Sequence, residues 1–149
     1  DSFSHYVCSE VNSRKPARTR SILYLCEPFS RRDIDDSSIE FLGFSLFLEW
    51  YKKERPDRPM IYLKIHPSET ADRYDWITKL YQDLPVSIAS EDLSIALTQS
   101  DTVVGFQTHA LSIALDCGKS VFSCLPNGSG PSLLFHKKIP EFRERYGEP

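Results

Sequence analysis

Short apolar runs alternate with longer segments of helical spacing along most of the chain. A strand buried on both faces of a parallel sheet is a short, nearly continuous apolar run. The runs that fit this description predict strands over 21–26, 60–65, 86–89, 102–104 and 120–123. The segments between them predict helices over 39–54, 70–83, 90–99 and 108–116, with a final helix over 140–146.

Capping signals support these helix limits. Lys52 and Lys53 place positive charge at the end of helix 39–54, and Pro56 then stops it. Ser90 is a predicted N-cap, and Gly118 is a predicted C-cap for helix 108–116. Residues 1–20 are polar and irregular in pattern and are predicted to be a linker or N-terminal arm.

Alternation of strands and helices predicts an α/β fold with a doubly wound parallel sheet of about five strands. Right-handed crossovers give such a doubly wound sheet. We expect the strand order 3-2-1-4-5, although periodicity alone does not determine the order. The predicted domain covers residues 21–149.

Composition narrows the class of protein. The chain has 149 residues, is 40% hydrophobic and carries a net charge of −3, so disorder, a membrane span and a main role in wrapping nucleic acid are not expected. Its four cysteines form no CxxC pair, which disfavours a metal site and favours a reducing compartment. The chain begins with Asp1 and shows no signal peptide, so we expect a cytoplasmic piece of a longer protein; peripheral membrane association of that parent stays open.

Polar residues that could bind a ligand or take part in catalysis follow the predicted strands. Glu27 follows the first strand, His66 and Pro67 follow the second, and the segment 105–109 (GFQTH) follows the fourth. Ligands of open parallel sheets bind beyond the carboxyl ends of the strands, near the change in strand order. We therefore expect these residues to meet in one crevice.

The segment 105–109 joins a strand to a helix N-terminus, which offers free N–H groups and a favourable dipole to a phosphate. Gly105 would allow close approach, and the Thr108 hydroxyl could touch the phosphate or simply cap the helix. His66 could donate to a phosphate or act as an acid, and His109 could serve similarly, but both also fit ordinary surface positions. Glu27 could accept from a ligand hydroxyl or cap a loop. The chain has no GxGxxG, P-loop or GxSxG motif.

Three segments in this order resemble the C-terminal, donor-binding half of GT-B glycosyltransferases, closest to bacterial sialyltransferase-like and capsular-polysaccharide enzymes. They are 22–28 (ILYLCEP), 64–67 (KIHP) and 100–111 (SDTVVGFQTHAL), the last continued by Ala114, Gly118, Lys119 and Val121. The resemblance covers roughly residues 21–125 and implies a Rossmann-like nucleotide-sugar-binding domain.

The resemblance also implies roles for individual residues. His66 would contact the phosphate of the nucleotide sugar and act as the acid for its departure, and Thr108 would bind the same phosphate. Gln107 stands where many sialyltransferases have a second hydroxyl residue, so both CMP- and UDP-linked donors stay open. The substrate-binding set implied with them is Lys64, Pro67, Gly105, Gln107, Thr108, His109 and Glu27.

In such enzymes the general base lies in the N-terminal half, which also brings the glycan acceptor. This chain alone is therefore expected not to transfer sugar. No cofactor or metal is implied, because the nucleotide sugar is itself the substrate. The alternative is a flavodoxin-like or receiver-like module that binds a protein partner or small anion. A UDP-sugar epimerase, which shares the GT-B fold, is disfavoured because it needs two complete halves and acid–base carboxylates that are not found in this sequence.

Overall fold

Five short strands form one parallel sheet in the computed structural model, which describes residues 2–13, 20–134 and 137–146. The strands are β1 (Ser21–Leu25), β2 (Met60–Lys64), β3 (Val86–Ile88), β4 (Thr102–Gly105) and β5 (Ser120–Ser123). Their order is β3-β2-β1-β4-β5, with every neighbouring pair parallel. The predicted α/β fold class and the predicted strand order are both confirmed.

Helices connect the strands. They are α1 (Ser2–Ser13), α2 (Ile39–Glu54), α3 (Asp75–Leu80), α4 (Leu93–Thr98) and α5 (His109–Asp116), with 3₁₀ turns at Ala71–Tyr74 and Phe142–Glu144. Helix α2 has the predicted limits, whereas the predicted helix 70–83 is divided into a 3₁₀ turn and the shorter α3. The predicted final helix 140–146 is only a 3₁₀ turn. In the part of the chain described here, no helix is both long and apolar enough to cross a bilayer.

The N-terminal segment differs from its predicted structure. Where a linker or arm was expected over 1–20, residues Ser2–Ser13 form α1, and residues 14–19 lie outside the described part of the chain. Ser4, Val7 and Val11 are the buried positions of α1, spaced along one side of the helix. Val7 and Val11 join the core cluster that includes residues of α4 and α5. Tertiary packing of this narrow apolar stripe holds a helix that the polar composition did not reveal.

Side chains of β1 alternate between two cores. Ile22 and Tyr24 face a core dominated by aromatic side chains, to which α2 contributes Phe44 and Phe47. Leu23 and Leu25 face a smaller aliphatic core formed with α1, α4 and α5. Both faces of β1 are buried, which accounts for the nearly continuous apolar run in the sequence.

The four cysteines are free thiols. Cys26 and Cys124 are buried, while Cys8 and Cys117 are half-buried. Cys117 packs at the margin of the aliphatic core.

Candidate functional site

The chemistry-bearing residues lie at the carboxyl ends of three neighbouring strands. Strand β1 lies between β2 and β4, with Leu25 level with Lys64 on one side and Tyr24 level with Val104 on the other. The segments that leave this edge therefore carry His66, then Glu27, then the turn at residues 105–108, in that spatial order. The strand order thus places these three segments side by side at one edge of the sheet.

Glu27 binds the turn that follows β4. Its Oε2 accepts hydrogen bonds from the backbone N–H of Phe106 at 2.9 Å and of Gln107 at 3.1 Å. Burial raises the pKa of Glu27, and this outweighs the lowering by the backbone N–H groups of Phe106, Gln107 and Thr108 and by the charge of His66. Glu27 thus lies close to both His66 and the turn, with its carboxylate directed at backbone donors.

Thr108 is the N-cap of α5. Its backbone is extended, with φ −69° and ψ 149°, and its hydroxyl oxygen accepts from the N–H of Ala110 at 3.4 Å. Gly105 lies where the chain is crowded, since a Cβ there would be 3.2 Å from Leu111 Cγ and 3.3 Å from Leu25 Cβ. The turn is therefore tight, and the capping alternative considered for Thr108 is the one the geometry shows.

Replacement of Thr108 by Ala removes this cap and is expected to lower the free energy of unfolding by about 1 kcal/mol. Thr108→Ser keeps the hydroxyl and is expected to stay within about 0.5 kcal/mol of the parent chain. Urea denaturation of the three proteins measures the difference. Equal stability of the Ala and Ser variants would show that the cap contributes nothing.

His66 is exposed at the end of β2, and its ring is oriented by the loop that follows. Nδ1 accepts from the backbone N–H of Ser68 at 3.1 Å and lies 2.8 Å from the Ser68 hydroxyl. An N–H can only donate, so the neutral ring carries its proton on Nε2. This arrangement leaves Nε2–H as a directed donor at the edge of the sheet.

Two other predicted site residues, Lys64 and Gln107, form side-chain hydrogen bonds within the protein. Lys64 Nζ donates to the carbonyl of Glu91 at 2.8 Å and so ties β2 to the segment before α4. The side chain of Gln107 accepts from the N–H of Leu133 at 3.0 Å, which holds a distant loop against the turn. Pro67 and His109 are both exposed, the first in the loop after β2 and the second as the first residue of α5.

A buried ion network next to this edge was not predicted. Arg73 donates to Glu40 Oε2 at 3.0 Å and to the carbonyl of Arg32 at 2.8 Å, and its Nε pairs with Glu69. The Glu40 and Glu69 side chains are only 2% and 7% exposed. Tyr74 completes the network by donating to Glu69 at 2.6 Å. The i,i+4 spacing of Glu69 and Arg73 was a usable signal, but the partner on α2 was not visible in the sequence.

This network joins the loop after β1 to the loop that carries His66. Burial alone would raise the pKa of Glu40, but the N–H donors, the Ser30 hydroxyl and Arg73 hold it below its usual value. The carboxylate is therefore ionised and fully paired. Within the described ranges, no three His, Cys, Asp or Glu side chains are grouped so as to hold a metal ion.

Comparison with solved structures identifies the fold. Thermosulfurimonas dismutans KpsC, beta Kdo 2,4 transferase, matches 96% of this chain at 16% identity with a TM-score of 0.51. The chain shares the fold of this transferase. It spans 52% of the length of that structure. A second structure, T. dismutans KpsC, beta Kdo 2,7 transferase, matches 83% of this chain and 40% of its own at 17% identity, with a TM-score of 0.49.

No protein-family model matches the chain, and no curated protein matches it. At 16% identity the structural likeness establishes the fold and not the activity. It agrees at that level with the resemblance found in the sequence.

Proposed function

We propose that this chain is the nucleotide-sugar-binding half of a GT-B glycosyltransferase, in which His66 and the N-terminus of α5 bind the leaving phosphate. The observation that carries the proposal is the arrangement of His66, Glu27 and the turn at 105–108 along β2, β1 and β4. An open parallel sheet binds its ligand at this place.

The chemistry of glycosyl transfer suits these groups. When the bond between the sugar carbon and the phosphate oxygen breaks, the electron pair stays on that oxygen, and negative charge grows on the phosphate. Donors fixed in advance around that charge stabilise the transition state. The Nε2–H of His66 is such a donor. The dipole of the eight-residue helix α5 adds partial positive charge at its N-terminus. To act as the acid for the departing phosphate, His66 would first have to take up a proton on Nδ1, which would end the hydrogen bond from the Ser68 N–H. The Nε2 proton could then pass to the phosphate oxygen and leave a neutral ring.

The fold supports the assignment of this chain to a glycosyltransferase half. A structure that shares the fold is a beta Kdo 2,4 transferase, and the chain spans about half its length. A complete transferase also needs an acceptor site and a base to take the proton of the attacking hydroxyl. We place both in a second half that faces the carboxyl ends of the strands, so this chain alone binds donor without transferring sugar.

His66→Ala is expected to weaken binding of CMP or UDP by about tenfold or more, because a hydrogen bond to a charged phosphate is lost. His5→Ala is the matched control, since His5 is exposed on α1. The neighbouring Ser4 contacts Asp116 at the C-terminal end of α5, away from the proposed site. Isothermal titration calorimetry of the three proteins gives the ratio of affinities.

The two variants give separable outcomes. If the His66 and His5 variants bind nucleotide equally well, His66 is not a phosphate ligand. Binding of simple anions with no preference for nucleotides would favour the alternative function, a flavodoxin-like or receiver-like module that binds a small anion or a protein partner at this edge.

A further inference from the structure

The Glu27 carboxylate already occupies the turn at 105–108, where we propose that phosphate binds. The N–H groups of Phe106 and Gln107 both donate to Glu27 Oε2, at 2.9 and 3.1 Å, and the N–H of Thr108 also acts on this carboxylate. Successive backbone N–H groups pointing at one spot form the concave donor set that binds anions in proteins. Here that spot holds a carboxylate of the same chain.

The turn is held rigidly around this carboxylate. The carbonyl of Gly105 accepts from Cys124 N–H at 2.7 Å, and the carbonyl of Phe106 accepts from the Ser123 hydroxyl at 2.7 Å. The Phe106 ring is buried in the aromatic core. The N–H groups therefore keep their direction whether or not Glu27 is charged, so a phosphate and the Glu27 carboxylate need the same donors.

We propose that Glu27 is a built-in competitor for the phosphate-binding turn, so that binding of an anionic ligand here is coupled to neutralisation or displacement of the Glu27 carboxylate. This inference rests on the proposed function, because it concerns the same turn. It explains why a half-buried carboxylate lies at a place that otherwise favours a ligand's negative charge.

Protonation of Glu27 is the simplest way to release the turn. Burial raises the pKa of Glu27 above its usual value, so the carboxyl takes up a proton at a higher pH than an exposed glutamate does. Once neutral, it no longer repels a phosphate and accepts more weakly from the N–H groups. Ligand affinity should therefore rise as the pH falls through this raised pKa.

The other groups around Glu27 divide into those that change charge and those that do not. Cys26 and Cys124 interact electrostatically with Glu27. Burial raises the pKa of both thiols, so they stay neutral. Glu40 and Tyr74 line a cavity of about 10 Å³ together with Glu27. The lowered pKa of Glu40 keeps it ionised, and burial raises the pKa of Tyr74 so that it stays neutral.

His66 is the remaining neighbour that acts electrostatically on the Glu27 carboxyl. The same His66 side chain is present in the wild-type chain and in the Glu27 variant. A ratio of affinities between the two proteins therefore isolates the contribution of Glu27.

The test uses sulfate, whose charge stays constant across the range, and Glu27→Gln, which keeps the shape of the side chain and removes its charge. At about pH 8 the variant is expected to bind sulfate about tenfold more tightly than the wild-type chain, and the ratio should fall toward one as the pH falls through the raised pKa of Glu27. Glu144→Gln removes an exposed carboxylate in the 3₁₀ turn Phe142–Glu144 and should match the wild-type chain throughout.

Two results would overturn the inference, and they differ in what else they affect. If wild type and Glu27→Gln bind sulfate and CMP with equal affinity at every pH, Glu27 does not compete, and the proposed function stands. If neither protein binds sulfate, CMP or UDP at millimolar concentration at any pH, the proposed function fails and this inference fails with it.

Discussion

Arg73→Met is expected to lower the free energy of unfolding by about 3–5 kcal/mol, the largest effect of any single substitution considered. The reason is the pair of carboxylates that Arg73 serves: the Glu40 and Glu69 side chains are 2% and 7% exposed. Without the guanidinium, two buried charges lose their partner. Because a domain of this kind has about 5–15 kcal/mol of stability in total, the variant should be close to unfolding.

Arg143→Met is the matched control. The Arg143 side chain is 15% exposed, almost the same as the 16% of Arg73, but its carboxylate partner Glu141 is 18% exposed. Its replacement should cost less than about 1 kcal/mol, measured by guanidinium denaturation. Similar losses for the two arginine variants would contradict the role of the buried network.

Acid pH should reduce the difference between wild type and Arg73→Met. The pKa of Glu40 is lowered in the folded chain, so its stabilising contribution is present at neutral pH and is lost as the pH falls through that lowered value. Adding Glu40→Gln to the Arg73 variant removes one unpaired charge and should recover part of the lost stability.

Gly43→Ala is the second substitution with a large expected effect. A Cβ on Gly43 would lie 2.2 Å from Phe106 Cε2, 2.4 Å from Phe106 Cζ and 2.9 Å from the Cys124 carbonyl oxygen. The Phe106 ring is 1% exposed and packs against Phe29 and Tyr24, so it has little room to move. We expect a loss of about 1–3 kcal/mol, although alanine itself favours a helix by about 1 kcal/mol.

Two further variants separate the clash from the helix propensity. Ser45→Ala, two positions along α2, should stay within about 0.5 kcal/mol of the parent chain. Combining Gly43→Ala with Phe106→Leu removes the ring that the new methyl group meets and should recover part of the loss. Thermal melts of the set measure these differences, and a stabilised Gly43→Ala variant would contradict the close packing of α2 on the turn after β4.

The sheet could be predicted because its strands carry their own signal. Both faces of β1 and of β4 are buried, so each strand has an apolar run, 22–25 in β1 and 103–104 in β4. Pattern and chain direction then place Glu27, His66 and Thr108 at one edge. These are local properties of the sequence combined with general rules of topology.

The partners of these residues could not be predicted, because each depends on a contact between segments far apart in the chain. Glu27 accepts from an N–H 79 residues away at Phe106, and Arg73 pairs with Glu40 33 residues away. Helix α1 was missed for the same reason, because only its packing against α4 and α5 shows that Val7 and Val11 form a buried stripe. Sequence periodicity locates elements and edges, whereas the charge balance of the site is a property of the assembled fold.

The central claim is that the edge formed by β2, β1 and β4 binds the phosphate of a nucleotide. The most direct test is a titration of the ¹⁵N-labelled chain with CMP and with UDP, followed by amide NMR shifts. We predict saturable shifts centred on Gly105, Gln107, Thr108 and the loop that carries His66. Absence of shifts at millimolar nucleotide, or shifts confined to residues away from this edge, would contradict the claim.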